Sequence, residues 1–186
     1  MRDILLQGLI RPPLTEPGPD DAELALVELA GGVEQAARAR LGRSLAIRHV
    51  DAGSCNACEL ELHALGNVYY DLERFGLKFV ASPRHADILL VTGPVTGNMR
   101  EALERTYEAM PAPKWVIAAG ACALDGGIFA DSYACVGGVA AVLPVDLHIP
   151  GCPPSPWALL NGLMALMAKT AQGSPAPLKL PETGRP

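Results

Sequence analysis

Five cysteines are the most reactive side chains in this sequence, and they are unevenly spaced. Cys55 and Cys58 form a C-x-x-C pair, whereas Cys122 lies in the segment GAC and Cys152 in the segment PGCPP. Thiolates bind zinc and iron–sulfur clusters, and a C-x-x-C pair at the start of a helix can also act as a redox dithiol. These four cysteines therefore indicate a structural zinc ion, an iron–sulfur cubane or a thioredoxin-like dithiol.

The spacing discriminates between these alternatives only in part. Zinc sites usually take two C-x-x-C pairs, and this chain has one pair and two isolated cysteines. Glycines and prolines around them, from Gly120 to Pro154, let the backbone approach a group larger than an ion. The spacing favours a cubane over zinc, and a dithiol leaves the two isolated cysteines unexplained. The remaining interpretation, an inert thiol, is the one we expect for Cys135.

Three predicted strands position the four cysteines. The segments 44–50, 115–119 and 145–149 are apolar enough to form strands, and a cysteine-bearing loop follows each of them directly. The carboxyl ends of parallel strands meet at one edge of a sheet, which is where ligands gather. We therefore expect the four thiols to converge at that edge.

The order of the elements predicts an α/β fold with a doubly wound sheet. Residues 87–92 form a continuous apolar run, typical of a strand buried on both faces, and 77–80 is a shorter strand. Helices are expected over 20–41, 59–75, 98–110 and 156–168. We divide the chain into an N-terminal arm with an amphipathic helix (1–43), a metal-binding α/β domain (44–170) and a proline-rich tail (171–186).

Composition excludes several classes of protein. The net charge of −5 argues against a nucleic-acid-binding protein, which needs a basic face. The 19 glycines and 17 prolines argue against a helix bundle. We see neither a signal peptide nor an apolar run of about 18 residues that would span a bilayer, so we expect a cytosolic chain with reduced thiols.

Four motifs carry a resemblance to a known family. GSCNACELE, SPRHADILLVTGPVT, GACALDGGIF and VDLHIPGCPPSP occur in this order. With them the sequence resembles the small, cluster-bearing subunit shared by membrane-bound [NiFe] hydrogenases and respiratory NADH–quinone oxidoreductase. It is most similar to the formate-hydrogenlyase and hydrogenase-4 type, and the match covers about residues 44–168.

The resemblance implies a flavodoxin-like fold, with a mainly parallel sheet and helices on both faces. The prolines near both ends of the chain, outside the match, predict extended N- and C-terminal arms. It implies one [4Fe–4S] cluster, whose ligands would be Cys55, Cys58, Cys122 and Cys152. The implied partners are a large subunit with a nickel–iron or quinone site, a ferredoxin-like iron–sulfur subunit and integral membrane subunits. The chain would relay electrons in such an oxidoreductase, on the cytoplasmic side of the inner membrane, and would catalyse nothing alone.

The first motif separates the two branches of this family. Quinone-reductase subunits carry adjacent cysteines there, whereas this chain has the C-x-x-C pair of the hydrogenase branch. A quinone-reducing complex is the second interpretation, and a zinc-stabilised interaction protein is the third.

Three residues outside the cysteine set are candidates for tuning the site or for contacting a partner. Glu59 follows the C-x-x-C pair, although Glu59 and Glu61 are better explained as charges facing the positive end of a helix dipole. Arg84 and His85 either contact the large subunit or form a solvated loop. His148, within a predicted strand, is expected to be structural.

Overall fold

The computed structural model describes residues 20–171, whose centre is a parallel β-sheet. The strands are β1 (Ala46–Asp51), β2 (Lys78–Phe79), β3 (Ile88–Thr92), β4 (Val95–Thr96), β5 (Trp115–Ala119), β6 (Cys135–Gly137) and β7 (Leu147–Ile149). The helices are α1 (Asp20–Leu41), α2 (Ala57–Ala64), α3 (Gly97–Ala109), α4 (Ala121–Asp125) and α5 (Pro156–Ala171).

The sheet has the strand order of a doubly wound fold. Five parallel strands lie in the order β2-β1-β3-β5-β7, and β4 and β6 form a separate antiparallel pair. Numbered among the five alone, this is the flavodoxin-like order 2-1-3-4-5. The predicted fold class is confirmed.

Each face of the sheet carries its own apolar cluster. In β3, Ile88 and Leu90 belong to one cluster, whereas Leu89 and Val91 belong to the other. Side chains alternate between the two faces of a strand, so a continuous apolar run supplies both clusters. Helices α1, α2 and α5 cover the first face, and α3 and α4 cover the second. The prediction of helices on both faces is therefore confirmed.

Helix α1 packs on the same face as the last helix of the chain. Ala30, Val33 and Ala37 are buried in the first apolar cluster, and α1 contacts α5. The predicted boundary at residue 43 stays a prediction. Residues 1–19 of the predicted N-terminal segment and residues 172–186 of the predicted tail lie outside the described residues.

The prediction of one helix over 59–75 is wrong. Helix α2 ends at Ala64, and the chain turns before a short 3₁₀ helix at Leu72–Phe75. The Asn67 side chain explains the break, because its Oδ1 accepts the backbone N–H groups of Tyr69 and Tyr70 at 2.9 and 3.0 Å. Such side-chain bonds offer the backbone an alternative to the helical ladder.

None of the helices within residues 20–171 is both long enough and apolar enough to cross a lipid bilayer.

Candidate metal centre

The four cysteines of the motifs lie at the carboxyl edge of the sheet, as predicted. Cys55 is in the loop after β1, and Cys58 is in the first turn of α2. Cys122 is in the first turn of α4, directly after β5, and Cys152 follows β7. Three loops from one edge of the sheet thus supply the thiols. Cys135 lies apart from these loops, half-buried in β6.

The four thiols are close enough to interact electrostatically. Burial raises the pKa of Cys58 to about 11, and the neighbouring Glu59 and the other three cysteines contribute to this rise. Burial also raises the pKa of Cys122, with Cys152 and Cys55 adding to the effect. Four thiolates at this edge therefore need a positively charged group to offset their repulsion.

Two backbone hydrogen bonds join the loop after β5 to the last residue of β7 and to the loop that follows it. The N–H of Gly120 donates to the Ile149 carbonyl at 2.8 Å, and that of Ala121 donates to the Gly151 carbonyl at 2.8 Å. Both bonds continue the pairing of β5 with β7 beyond the last strand residues. They hold the loop with Cys122 beside the loop with Cys152.

Two glycines let sulfur atoms lie directly against the backbone. A Cβ added at Gly120 would lie 2.9 Å from the Sγ of Cys58, and one added at Gly127 would lie 2.9 Å from the Sγ of Cys122. Both glycines also have positive φ, +95° and +51°, which side-chain-bearing residues rarely adopt. Glycine at these positions lets the backbone pass close to the two sulfur atoms, and four thiols gathered in this way fit a bulky thiolate-bound group.

The described residues contain no ready-made site for one metal ion. Among residues 20–171, no three His, Cys, Asp or Glu side chains lie close enough together to hold one metal ion. A cubane takes its four thiolates at four different irons, so its ligands lie farther apart than those of one zinc ion.

Side chains build the loop that carries the C-x-x-C pair. Asp51 Oδ1 accepts the backbone N–H groups of Gly53 and Ser54 at 2.8 and 2.7 Å. Ser54 Oγ in turn accepts the N–H of Asn56 at 3.0 Å. Asn56 has a φ of +72° and precedes the first residue of α2. These bonds fix the backbone on both sides of Cys55.

Glu59 is in the first turn of α2, as predicted, but its carboxylate is buried. Ser54 Oγ donates a hydrogen bond to Glu59 Oε2 at 2.5 Å, and Thr92 Oγ1 donates one to Oε1. The Nε2 atom of His49 lies 3.8 Å from Oε1 and 2.9 Å from Thr92 Oγ1. Burial lowers the pKa of His49, although Glu59 opposes this effect. Glu59 therefore links α2 to the sheet through hydrogen bonds. The helix-dipole explanation given for Glu59 and Glu61 together does not account for the burial of Glu59.

The structure does not bring Arg84 and His85 to the thiols. They lie on a 3₁₀ turn, Pro83–His85, that precedes β3, whereas the thiols follow the ends of the strands. Both side chains are exposed. His148 supports the backbone as expected, because its Nε2 donates to the Gly120 carbonyl at 3.1 Å.

Sequence reasoning missed the partners of Glu59. Ser54 and Thr92 are ordinary hydroxyl residues in the sequence, and Thr92 is 33 positions from Glu59. Only the pairing of β1 with β3 places the end of β3 beside the cysteine loop. No local pattern signals that contact.

Together these features define a doubly wound α/β protein with four thiols gathered at the carboxyl edge of its sheet. Residues 55–166 match the family described as NADH ubiquinone oxidoreductase, 20 Kd subunit, and the chain belongs to this family.

Similar proteins come from both branches named by the resemblance. The probable membrane-bound hydrogenase subunit mbhJ of Pyrococcus furiosus is 48% identical over 132 residues, which are 71% of this chain and 79% of that protein. Formate hydrogenlyase subunit 7 of Escherichia coli is 45% identical over 155 residues, 80% of this chain; the match spans only 61% of that protein. The NADH-quinone oxidoreductase B subunit of Heliobacterium modesticaldum is 50% identical over 123 residues, 66% of this chain and 70% of that protein.

One solved structure is similar in sequence and in fold. It is a chain of the membrane-bound sulfane sulfur reductase, described as an archaeal respiratory membrane complex. The TM-score is 0.64 at 36% sequence identity, and the match covers 77% of each chain. The family resemblance predicted from the four motifs is confirmed.

Proposed function

We propose that this chain is an electron-transfer subunit that holds one [4Fe–4S] cluster in a membrane-associated oxidoreductase complex. The observation that carries the proposal is the meeting of four thiols from three loops, with glycines that let the backbone pass close to two of the sulfur atoms. The relatives named above are subunits of oxidoreductase complexes, which supports the same function.

The residues of this chain would hold and shield the cluster. Cys55, Cys58, Cys122 and Cys152 would bind its irons as thiolates, and a bound cluster supplies one-electron transfer. The hydrogen bonds of Ser54 and Glu59 would keep the first two thiols in place. The surrounding protein sets the reduction potential of such a cluster through charge, burial and hydrogen bonds to sulfur.

The C-x-x-C pair favours the hydrogenase branch. We therefore propose as partners a large subunit with the nickel–iron centre, a ferredoxin-like iron–sulfur subunit and integral membrane subunits. This chain would be a peripheral subunit on the cytoplasmic side of the inner membrane, and it would pass electrons between the first two partners.

A second candidate is the equivalent subunit of a quinone-reducing complex. The observation in its favour is the 50% identity to an NADH-quinone oxidoreductase B subunit. The large subunit encoded with this chain separates the two candidates. Two C-x-x-C pairs for nickel in that partner support the hydrogenase, and their absence supports the quinone-reducing complex.

Metal analysis of the anaerobically purified chain tests the cluster. We expect about four irons and about four acid-labile sulfides per chain. Cys122→Ala should lose the cluster, whereas the matched variant Cys135→Ala should keep it. Zinc without sulfide would instead support the zinc-stabilised interaction protein, and would reject the cubane.

A further inference from the structure

A basic groove lies at the edge of the sheet opposite the cysteines. It is bounded by the starts of β1 and β2 and by the 3₁₀ turn before β3, and its volume is about 510 Å³. Arg43, Lys78, Arg84 and His85 line it together with small or apolar residues. None of the described residues that line the groove is acidic, although the chain carries a net charge of −5.

One of these cations is held in place by a buried acid. The guanidinium of Arg43 donates two hydrogen bonds to the Asp87 carboxylate, at 3.1 and 2.5 Å. Asp87 is only 2% exposed and also accepts the N–H of Ala46 at 2.9 Å. A guanidinium has five N–H donors, so three remain for a ligand.

The other cations have no such partner. Lys78, Arg84 and His85 make no side-chain hydrogen bond or ion pair with any residue that the structure describes. Elsewhere on the surface, Arg100 and Arg105 each pair with a glutamate one helical turn away. Three of the four cations that line this groove therefore have no ion-pair partner among the described residues.

The turn that carries Arg84 and His85 is itself well ordered. Pro83 occupies its first position, and the N–H groups of His85 and Ala86 donate to the carbonyls of Ser82 and Pro83 at 3.2 and 3.1 Å. A backbone fixed in this way loses little freedom when a ligand binds.

We propose that this groove binds a phosphate group, carried by a lipid headgroup or by a small soluble compound. Several converging cations, including an arginine fork with free donors, suit the tetrahedral oxygens of phosphate. The volume lies within the range of small-ligand sites, about 300–1,000 Å³. Strand β1 is six residues long, so roughly 20 Å separates the groove from the cysteine edge. The site is thus independent of the proposed cluster.

The test compares two double variants of the full chain that lose the same charge. Lys78→Gln with Arg84→Gln removes two cations from the groove, and Arg100→Gln with Arg105→Gln removes two from α3. Inorganic phosphate binding is measured by equilibrium dialysis. Sedimentation is measured with phosphatidylcholine vesicles, with and without phosphatidylglycerol. Iron content and the thermal unfolding midpoint are recorded for every variant, so that a loss of fold or cluster is seen separately.

We expect the groove variant to bind phosphate at least roughly tenfold more weakly than the unmodified chain, because charge-assisted hydrogen bonds are lost. The α3 variant should bind as the unmodified chain does. If the unmodified chain binds phosphatidylglycerol vesicles and the groove variant does not, the result supports a lipid headgroup. If the unmodified chain binds phosphate but not the vesicles, the result supports a soluble compound. Equal losses in both variants, or binding of neither probe, would overturn the proposal.

Discussion

The hydroxyl of Thr92, at the end of β3, donates a hydrogen bond to the buried carboxylate of Glu59, the residue that follows Cys58. The bond links the centre of the sheet to the helix that carries half of the C-x-x-C pair. Thr92 is fully buried, and Glu59 is 6% exposed. This contact makes the cysteine loop depend on the strand beside it.

Removing that hydroxyl should destabilise the fold. In Thr92→Val the carboxylate of Glu59 loses a buried donor, which costs about 1–3 kcal/mol in the free energy of unfolding. Urea unfolding followed by circular dichroism measures the change. The control is Thr106→Val, which removes a partly exposed hydroxyl bonded to the Ala102 carbonyl and should stay within about 0.5 kcal/mol. Equal effects of the two variants would contradict the role given to Thr92.

The stability of the fold should fall as the pH drops below about 6.5, and His49 should contribute to the fall. Burial lowers the pKa of His49 in the folded state below its usual 6.5, so the unfolded chain binds the proton more readily. The contribution is therefore present above pH 6.5 and is lost as the pH falls towards the folded-state pKa.

Unfolding midpoints in urea at pH 7.5 and pH 5.5 test this assignment. We expect the decrease to be smaller in His49→Gln than in the unmodified chain. The exposed His63 provides the matched variant, His63→Gln, which should keep the full decrease. If both variants keep it, His49 is not its source.

Adding a Cβ against the sulfur of Cys58 should lower the metal content. In Gly120→Ala, the new Cβ would lie 2.9 Å from the Cys58 sulfur, at a φ of +95° that alanine rarely adopts. We expect less iron per purified chain than in the unmodified protein. The control is Gly31→Ala in α1, where a Cβ meets nothing within 4 Å. That variant should keep its iron and gain about 0.5–1 kcal/mol of stability. Full iron content in Gly120→Ala would argue against a group bound at this sulfur.

Removing the buried Asp87, which precedes β3, should lower the free energy of unfolding more than removing an exposed acid. Asp87→Ala removes the acceptor of the Ala46 N–H and of Arg43, which should cost about 1–3 kcal/mol. The exposed Asp131 supplies the comparison, Asp131→Ala, with an expected change within about 0.5 kcal/mol. Urea unfolding distinguishes them, and a change of similar size in both would show that Asp87 acts only through charge.

The parts of the fold that can be predicted from sequence are those encoded by neighbouring residues. The apolar run of β5 has the same bounds in sequence and structure, and each cysteine loop follows its predicted strand. The break after Ala64 escapes prediction because Asn67 ends a helix by a local side-chain bond that an apolar pattern does not reveal. An apolar stripe records which residues are buried but not whether the backbone between them stays helical.

The parts that cannot be predicted depend on residues distant in the chain. Arg84 and His85 stand out as a pair in the sequence, but Arg43 and Lys78 join them only through the alignment of β1 with β2 and β3. The same alignment brings Thr92 to Glu59. A single sequence contains no record of such pairings, so neither the charged groove nor the burial of Glu59 can be predicted from it.

The hydrogen bonds between the loops after β5 and β7 have a consequence for the timing of maturation. The loop with Cys152 can take its place only after β7 has paired with β5, and β7 is the last of the five sheet strands to be synthesised. Cys55 follows the first strand, so it is synthesised long before the Cys152 loop can take its place beside it. Any group held by both thiols must be delivered late, to a chain that is already folded or is completing its fold.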